Sequence, residues 1–413
     1  MLDIKFVREN KTLLEKVIKQ KKAKANYKKI IAADDKRKKL LALDEELRME
    51  RNKISKLGKE GASANIKIKK ELGRLVPELE KANRKFKELM FELPNIPARD
   101  VPVGASEEDN VVERKVTGAK PAVSEKEVKD HAELGKNLDI IDTESAGSVS
   151  GSRFSYLKNQ AVLMQFAIIN WIMEIMQKEK FIPIIPPVIE NFEVARKTGY
   201  FETLSDDAYH IKQDPMVLVG TSEQSILPYH MNTVFNEKDL PKRYLGYSTC
   251  FRREAGSYGK DVAGIFRSHQ FDKLEMVEFC KPEDSEHEHK YLLDLEEKIM
   301  KELKIPYQVV KMCTGDLGLP AVRKFDIEAW IPSQKKYRET HSVSSCTDFQ
   351  ARRLNIKYRT PDGKTEFVHT LNGTAVAIGR IMVAIMENYQ QPDGTILVPK
   401  VLQKYTVFKK ITK

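Results

Sequence analysis

The sequence predicts an α+β protein, with an N-terminal antiparallel coiled-coil helical hairpin and a larger domain built on a central antiparallel sheet flanked by helices. Two patterns predict this fold. Apolar residues recur at alternating steps of three and four within residues 28–92, which is the spacing of a coiled-coil seam. Further along, short β-like runs are joined by loops rather than by regular βα units, which favours an antiparallel sheet.

Two apolar seams with a glycine-containing turn between them predict the two helices of the hairpin. The seams are formed by Leu40, Leu43, Leu47, Ile54 and Leu57, and by Leu72, Leu75, Leu79, Ala82, Phe86, Leu89 and Leu93. Helices of about 30 residues would form an arm on the order of 45 Å long. Pro77 is expected to kink the second helix or break it locally, at a cost of roughly 3 kcal/mol if nothing compensates.

Prolines and changes in composition divide the chain. Two prolines in LPNIP, at 93–97, end the hairpin because neither can continue a helix. We therefore predict an N-terminal domain over 1–100 with its arm at about 28–92, a polar linker over 101–150, and a second domain over 151–413. In the second domain, helical periodicity marks 153–180, 283–304 and 374–389, and β-like runs include IPIIPPVI, MVLVG, RYLGYSTCF, FDKLEMVEF and KFDIEAWI.

The positive charge is concentrated in the first quarter of the chain. The 413 residues carry a net charge of +11, yet residues 1–92 alone hold 27 Lys and Arg against 15 Asp and Glu. Such asymmetry indicates an anionic partner for this segment, nucleic acid before membrane. A solvated helix surface that binds nothing would give the same count, so charge alone leaves both interpretations open.

Several classes of protein are excluded or disfavoured. The apolar runs are too short for a transmembrane helix, and residues 1–10 lack the apolar core of a secretory signal. Four cysteines about thirty residues apart, without a CxxC pair, predict reduced thiols in a cytosolic enzyme rather than a disulfide framework or a zinc site. Neither GxxxxGK[ST] nor a GxGxxG after a strand occurs, which excludes P-loop and Rossmann nucleotide sites.

A first candidate site begins at Arg252, Arg253 and Glu254 and continues through a loop containing Gly256, Gly259 and Gly264. A strand is expected from about Phe266, and its alternation puts on one face Arg267, His269, Phe271, Lys273 and Glu275. Cations suit phosphate, an aromatic ring suits a base, and a carboxylate suits an ammonium group. A solvated sheet face with incidental ion pairs remains an alternative.

A second candidate is Arg380, the one charge within Ala375–Met386. We expect this apolar run to be a buried helix, so its guanidinium needs an anion, either a protein carboxylate or a bound phosphate. Asn372, Gly373 and Thr374 would stand at the helix start.

Two weaker candidates supply oxygen atoms. Thr221, Ser222 and Glu223 follow the apolar run MVLVG, and Thr221 and Glu223 would share a face suited to a small ligand with an ammonium group. Glu339 and Ser342 are oxygen donors three residues apart that could hold a Mg²⁺ touching phosphates.

Together these residues resemble the seryl-tRNA synthetases, a family of class II aminoacyl-tRNA synthetases. The resemblance covers nearly the whole chain, from the helical arm and LPNIP to three class II signature motifs. Motif 1 is similar to the long helix with KFIPIIPPVI, motif 2 to Tyr244–Phe279 with FRREAG and HQFDKLE, and motif 3 to Leu371–Gln390 with LNGTAVAIGR.

The resemblance implies a role for each candidate residue. In catalysis, Arg252 would grip the α-phosphate of ATP and Arg380 the γ-phosphate, with Glu275 at the amino acid. L-serine would be bound by Thr221, Ser222, Glu223, Glu275, Asn372 and Thr374. ATP would be bound by Arg252, Arg253, Glu254, Arg267, Phe271, Glu339, Thr340, His341, Ser342 and Arg380. The ATP-associated Mg²⁺ would be bound by Glu339 and Ser342.

The same resemblance implies an activity and partners. The expected reaction is activation of L-serine by ATP to seryl-adenylate, then transfer of serine to the 3′ end of tRNA(Ser), and of tRNA(Sec) as the family commonly does. A cytoplasmic homodimer is expected, in which the basic arm of one subunit contacts tRNA held by the other.

One departure and two alternatives accompany this prediction. His341 stands where family members often have a shorter side chain, and its role is open. A paralogue that loads an amino acid onto a carrier protein is disfavoured by the basic arm. An RNA-binding scaffold with a decayed catalytic domain is disfavoured by the intact charged residues Arg252, Glu275, Glu339 and Arg380.

Overall fold

A computed structural model describes residues 1–119, 121–255 and 264–413. Gly256 and Gly259, predicted to lie in a glycine-containing loop, fall outside the described residues. The chain forms two compact units, Met1–Ile96 and Pro97–Lys413. Among the described residues, a helix with the length and apolar character of a membrane span is absent.

The first unit is helical. Its helices are α1 (Ile4–Glu9), α2 (Lys11–Gln20), α3 (Tyr27–Ile54) and α4 (Ala62–Phe91). The long helices α3 and α4 form the predicted antiparallel hairpin, because Leu47 near the end of α3 packs with Ile68 and Leu72 near the start of α4. Lys36, nearer the other end of α3, forms an ion pair with Glu78 of α4 at 3.1 Å.

Helix α4 runs through Pro77 without interruption, so the prediction of a local break is wrong. Proline removes one helical hydrogen bond and crowds the carbonyl four residues earlier, which belongs to Gly73. Both residues are exposed, and the space around the Gly73 Cα is open. Water can therefore reach the freed carbonyl, which lowers the cost of continuing the helix.

The second unit is built on strands. They are β1 (Val111–Val116), β2 (Ile141–Asp142), β3 (Tyr156–Leu157), β4 (Ile182–Ile184), β5 (Ile189–Asn191), β6 (Met216–Leu218), β7 (Val234–Asn236), β8 (Lys242–Phe251), β9 (Gln270–Cys280), β10 (Tyr307–Lys311), β11 (Arg323–Ile331), β12 (Lys336–Thr347), β13 (Lys357–Arg359), β14 (Thr365–Phe367), β15 (His369–Ala377), β16 (Ile396–Leu397) and β17 (Lys410–Ile411).

The second unit also contains α-helices. They are α5 (His131–Asn137), α6 (Thr143–Ser150), α7 (Asn159–Lys178), α8 (Phe192–Ala195), α9 (Phe201–Leu204), α10 (Glu223–Tyr229), α11 (Ser285–Leu303), α12 (Phe349–Leu354) and α13 (Ile378–Asn388). Apolar side chains of α7, α11 and α13 share one core with the strands.

The central sheet has eight strands in the order β1-β10-β11-β12-β15-β9-β8-β4. All neighbouring strands are antiparallel except β4 and β8, which are parallel. The predicted α+β architecture, a central antiparallel sheet flanked by helices, is confirmed.

Residues 101–150 are more than the polar linker that composition predicts. They contribute the edge strand β1, which pairs with β10, and helix α5, whose Leu134 is buried in the main core. Most residues of β1 are exposed, so an edge strand here has no apolar alternation to mark it. The described residues of this segment, 101–119 and 121–150, therefore belong to the second unit.

Two predicted element boundaries are wrong near the site. Residues 375–377 end strand β15 and helix α13 begins at Ile378, so Asn372, Gly373 and Thr374 lie within a strand and not at a helix start. A short apolar run does not distinguish a central strand from a buried helix. Strand β9 begins at Gln270, so Arg267 and His269 precede it.

Candidate active site

A cleft lies on the central sheet of the second unit, at the start of α13. It brings together residues that are far apart in the sequence, from the ends of β8 and β9 and from β12, β15 and α13. The lining residues are Arg252, Glu254, Ile265, Phe266, Arg267, Ser268, Phe271, Lys273, Glu339, Thr340, Ser342, Thr374, Ala377, Gly379 and Arg380.

A bulge in β12 explains how Glu339 and Ser342 reach the same cleft. Residues three apart point to opposite faces of a regular strand. Here Ile327 pairs with His341 while Glu328 pairs with Glu339, so Thr340 is an extra residue. A bulge of this kind re-aims the side chains beside it. Both Glu339 and Ser342 consequently line the cleft.

A second irregularity lies in β15. Thr374 pairs with Glu275 and Val376 with Leu274, which leaves Ala375 without a partner on β9. Thr374 and Ala377, again three residues apart, both line the cleft. The two bulged strands are neighbours in the sheet, so the cleft forms where its regular alternation is broken twice.

The Arg380 side chain, in the first turn of α13, forms an ion pair with a protein carboxylate. Its Nη1 donates to Glu339 Oε2 and to the Glu339 carbonyl, each at 3.0 Å. Burial alone would raise the pKa of Glu339, but the positive charges of Arg380 and Lys324 outweigh burial and hold that pKa at about 2. Glu339 is therefore ionised at neutral pH, and the Arg380 guanidinium remains beside the open cleft.

Two aromatic rings lie under arginines in the cleft. The Arg252 guanidinium lies 5.4 Å from the Phe271 ring centroid, and that of Arg380 lies 5.3 Å from Phe266. Arg252 also donates to the Gly220 carbonyl from Nη2 at 3.2 Å. A flat aromatic and guanidinium surface of this kind suits a nucleobase and its phosphates.

Glu254 lines the same side of the cleft in an uncommon backbone conformation. Its φ is +51°, in the left-handed region that few residues other than glycine adopt. Its Oε2 lies 2.9 Å from Arg267 Nε. This ion pair helps to hold the carboxylate at the cleft, where it can accept hydrogen bonds from a base.

Glu275 forms a buried polar group with two neighbours. Its Oε2 lies 2.7 Å from Lys273 Nζ and accepts from Thr374 Oγ1 at 3.2 Å. Only 2 % of Glu275 is exposed, whereas Lys273 and Thr374 line the cleft. The group therefore places a hydroxyl and an ammonium at the floor of the site, with the Glu275 carboxylate bonded to both, which suits a small zwitterion.

The Glu223 carboxylate accepts hydrogen bonds within a buried network. Two residues of this network, Tyr200 and Gln350, were not predicted from the sequence. The carboxylate accepts from Tyr200 Oη at 2.9 and 3.0 Å, from Gln350 Nε2 at 2.8 Å and from Asn372 Nδ2 at 3.1 Å. Burial, reinforced by the charge of Glu275, raises the pKa of Glu223 to about 7. Neither Tyr200 nor Gln350 belongs to a motif that draws attention in one sequence.

The residues that line the cleft do not include seven predicted site residues: Thr221, Ser222, Glu223, Arg253, Glu275, His341 and Asn372. Ser222 is fully buried and its Oγ donates to the Gly246 carbonyl at 3.3 Å, because it stands at the start of α10. Arg253 is exposed and Nη1 donates to the Asp206 carbonyl at 3.3 Å. His341 is 1 % exposed, with Nδ1 at 2.9 Å from Thr340 Oγ1, because the β12 bulge leaves it away from the cleft.

Thr221 and Glu223 also differ from the prediction that they share one strand face. Glu223 is the first residue of α10, and its backbone N–H donates to Thr221 Oγ1 at 3.3 Å. The two residues form a helix start in which the Thr221 hydroxyl is already engaged.

The residues present fit a Mg²⁺ ion that is shared with phosphates. An ionised carboxylate and a hydroxyl, from Glu339 and Ser342, line one cleft, and oxygen ligands of this type suit Mg²⁺. Mg²⁺ commonly uses one or two protein carboxylates and completes its shell with phosphate and water. Clusters of three or more His, Cys, Asp or Glu side chains that could hold a metal are absent from the part of the chain described here.

Comparison with known families defines the class of this protein. Residues 208–389 match the model of the tRNA synthetase class II core domain (G, H, P, S and T), and residues 1–97 match that of the seryl-tRNA synthetase N-terminal domain. The first range contains most of the cleft. Fold and cleft are those of a class II aminoacyl-tRNA synthetase.

Relatives that match over nearly the whole chain identify the family within this class. A serine–tRNA ligase of Dictyoglomus turgidum is 42% identical over 98% of both chains. The crystal structure of seryl-tRNA synthetase from Pyrococcus horikoshii complexed with ATP is 39% identical, with a TM-score of 0.89 over 100% of this chain and 99% of that one. The Naegleria fowleri cytoplasmic serine–tRNA ligase in complex with AMP is 31% identical, with a TM-score of 0.85 over 100% and 99%. The chain belongs to the seryl-tRNA synthetase family.

Proposed function

We propose that this protein activates L-serine with ATP to seryl-adenylate and transfers the seryl group to the 3′ end of tRNA(Ser), and also of tRNA(Sec). The observation that carries the proposal is the convergence of Arg252, Arg380, Glu339 and the Glu275–Thr374 pair on one cleft. The Pyrococcus relative was crystallised with ATP and the Naegleria relative with AMP, which supports a nucleotide here.

The proposed first step needs positioning and positive charge more than a side-chain nucleophile. A carboxylate oxygen of serine attacks the α-phosphorus, and the bond to the bridging oxygen of pyrophosphate breaks. Arg252 and Arg380 stabilise the negative charge on the phosphates as it redistributes. Fixed cations and a prepared cleft lower the entropic cost of bringing serine and ATP together. A Mg²⁺ held by Glu339 and Ser342 would supply charge neutralisation to the phosphates when bound.

Recognition of serine is proposed for the floor of the cleft. The Glu275 carboxylate suits the serine ammonium group, and the Thr374 hydroxyl can exchange its bond to Glu275 for one to the substrate. We assign to Glu223, Asn372 and Thr221 the role of a rigid wall behind this group, because their polar atoms already bond one another or nearby residues.

Recognition of tRNA is proposed for the first unit. The excess of Lys and Arg in residues 1–92 and the match of residues 1–97 to the seryl N-terminal domain support it. Binding through phosphates releases counterions, so affinity should fall steeply with salt. An A-form RNA helix hides its base edges in a deep groove, so the arm would read shape more than sequence.

A homodimer in the cytoplasm is the last part of the proposal. Four large apolar side chains are exposed on α7 and around β4: Leu163 at 46%, Phe166 at 53%, Ile182 at 44% and Ile185 at 77%. An apolar surface of this kind favours burial against another chain. The described cysteines are buried and free, as in a reducing compartment.

Charging of tRNA tests the proposed function. Purified protein is incubated with ATP, Mg²⁺, labelled serine and a tRNA(Ser) transcript, and acid-precipitable serine is counted. We expect serine to be incorporated into tRNA(Ser), with less incorporation as salt is raised. A tRNA transcript for another amino acid is the control. Equal labelling of both transcripts, or of neither, would contradict the proposal; a tRNA(Sec) transcript tests the second acceptor separately.

A further inference from the structure

A buried chain of hydrogen bonds links α5 and α13 to the nucleotide side of the cleft. Glu387 Oε1 on α13 accepts from the His131 backbone N–H and lies 3.1 Å from His131 Nδ1. On the other side of the ring, His131 Nε2 accepts from the Ile265 N–H at 3.3 Å. His131 is 5 % exposed and Glu387 is fully buried, so water does not substitute for these contacts.

The carboxylate fixes the state of the imidazole. Its second oxygen, Glu387 Oε2, accepts from the Ser333 N–H at 3.0 Å. Because Oε1 accepts hydrogen bonds, the His131 proton is on Nδ1 and the lone pair of Nε2 points to Ile265. His131 is therefore a donor toward one element and an acceptor toward another.

The segment that receives this bond forms one wall of the cleft. Ile265, Phe266 and Arg267 all line it, and the Phe266 ring lies beneath the Arg380 guanidinium at 5.3 Å. On its other side, the Ile265 carbonyl would lie 2.8 Å from a Cβ added at Gly379, next to Arg380. The segment is thus enclosed between His131 and the first turn of α13.

Gly264 shows how closely the imidazole approaches this backbone. A Cβ at Gly264 would lie 2.1 Å from His131 Nε2, and its φ is +78°. Both the contact and the backbone conformation therefore require glycine. The close approach puts the ring against the backbone at the point where the wall of the cleft begins.

We propose that His131 is a positioning residue for ATP: it bridges Glu387 and the Ile265 amide, and so sets the position of Phe266 and Arg267 relative to Arg380. This inference rests on the proposed function for the identity of the nucleotide. His131 does not touch the cleft itself, and its effect passes through the backbone that it holds. The expected consequence is weaker ATP binding with little change in serine binding when the acceptor is lost.

Two substitutions separate the two hydrogen bonds of the ring. In His131→Gln, the amide oxygen is separated from Cβ by the same number of bonds as Nε2 in histidine. It can therefore still accept a hydrogen bond from the Ile265 N–H. In His131→Asn the amide nitrogen matches Nδ1, so the donor to Glu387 is kept and the acceptor for Ile265 is lost. Both variants replace an aromatic ring by an amide, so each is the control for the other in folding and packing.

The first measurement is hydrogen exchange of the Ile265 amide in the full-length protein. We expect faster exchange in His131→Asn and near-wild-type protection in His131→Gln. The second is the KM for ATP in serine-dependent pyrophosphate exchange, which should rise about tenfold in His131→Asn and less than about threefold in His131→Gln. The KM for serine should stay within about twofold in both.

Equal behaviour of the two variants would overturn the proposal, as would an unchanged Ile265 amide in His131→Asn. A fall in melting temperature shared by both variants, with the same KM for ATP, would make His131 a packing residue only. If the wild-type protein shows no serine-dependent exchange, the proposed function fails. ATP affinity measured by calorimetry together with Ile265 protection would then still decide whether His131 positions the nucleotide wall.

Discussion

Glu275 is the carboxylate best placed to select the amino acid, because it contacts both Lys273 and Thr374 beside the cleft. Glu275→Gln keeps the size of the side chain and an acceptor for Thr374 but removes the charge. We expect the KM for serine in pyrophosphate exchange to rise about 10- to 100-fold, as for loss of a buried charged hydrogen bond. The KM for ATP should change by less than about threefold.

The melting temperature of Glu275→Gln is measured as the control for folding, because the substitution also removes the charged partner of Lys273. Equal increases in the KM for ATP and for serine would contradict the assignment of Glu275 to the amino acid.

Glu223 should make folding stability depend on pH. Burial, with the nearby charge of Glu275, holds its pKa at about 7, against an ordinary value of 4.5. The unfolded chain therefore loses this proton at lower pH than the folded chain. The contribution of Glu223 to stability falls as pH rises from 4.5 to 7 and is constant above that range.

Glu223→Gln tests this directly by chemical denaturation. The free energy of unfolding of the wild type minus that of the variant should fall by about 3 kcal/mol between pH 4.5 and 7.5. Most other titrating groups cancel in the difference. A difference that is flat, or that rises with pH, would show that Glu223 is ionised throughout.

The need of a buried charge for a partner is the feature of the site that can be predicted from the sequence. Arg380 needs an anion wherever it is buried, and Glu339 meets it. The directions of the Ser222 and His341 side chains could not be predicted, because they depend on a helix start and on a bulge. Tyr200 and Gln350 were missed because their contact with Glu223 joins distant parts of the chain.

At the scale of elements, the arm can be tested apart from the helices at its base. One apolar cluster lies far along the hairpin and contains Leu47, Ile68, Leu72 and Leu75, with Leu40 and Ile54 packed against it. A separate cluster joins α1 and α2 to the base of the hairpin through Val7, Leu14, Ile30 and Leu89. Replacing residues 40–75 by a short glycine-rich turn removes the first cluster and keeps the second.

This shortened arm should spare serine-dependent pyrophosphate exchange and abolish charging of tRNA(Ser). Deletion of the whole predicted arm, residues 28–92, should have the same two effects. The reason is that the cleft lies within Pro97–Lys413 while the excess of basic over acidic residues lies within Met1–Ile96. Equal loss of both activities in the shortened protein would contradict this division. Full charging by it would show that the arm does not recognise tRNA.

Elements with strong periodicity were predictable, and those that depend on pairing were not. The hairpin helices have a seam that sequence spacing reveals, and strands β8, β9 and β11 have recognisable β-like runs. By contrast, β15 and α13 form one apolar run, and only pairing with β9 and β12 decides where the strand ends. The edge strand β1 is exposed along most of its length, so its sequence does not alternate.

At the scale of the whole molecule, we expect amino-acid activation to belong to the second unit and acceptor recognition to the first. The two-unit organisation follows from the change in composition near residue 96 and from the separate cores of the two units. The family was recognisable from the sequence because its motifs occur in order along nearly the whole chain. How those motifs come together in space could be seen only in the structure.

The most direct test is pyrophosphate exchange into ATP, measured for each of the twenty amino acids without tRNA. We expect the strongest exchange with serine, exchange with threonine that is weaker by about 10- to 200-fold, and none above background with the others. Threonine is the most demanding control, because it differs from serine by one methyl group and a pocket discriminates such a difference only modestly. Exchange driven as strongly by another amino acid as by serine, or no exchange at all, would contradict the proposed activity.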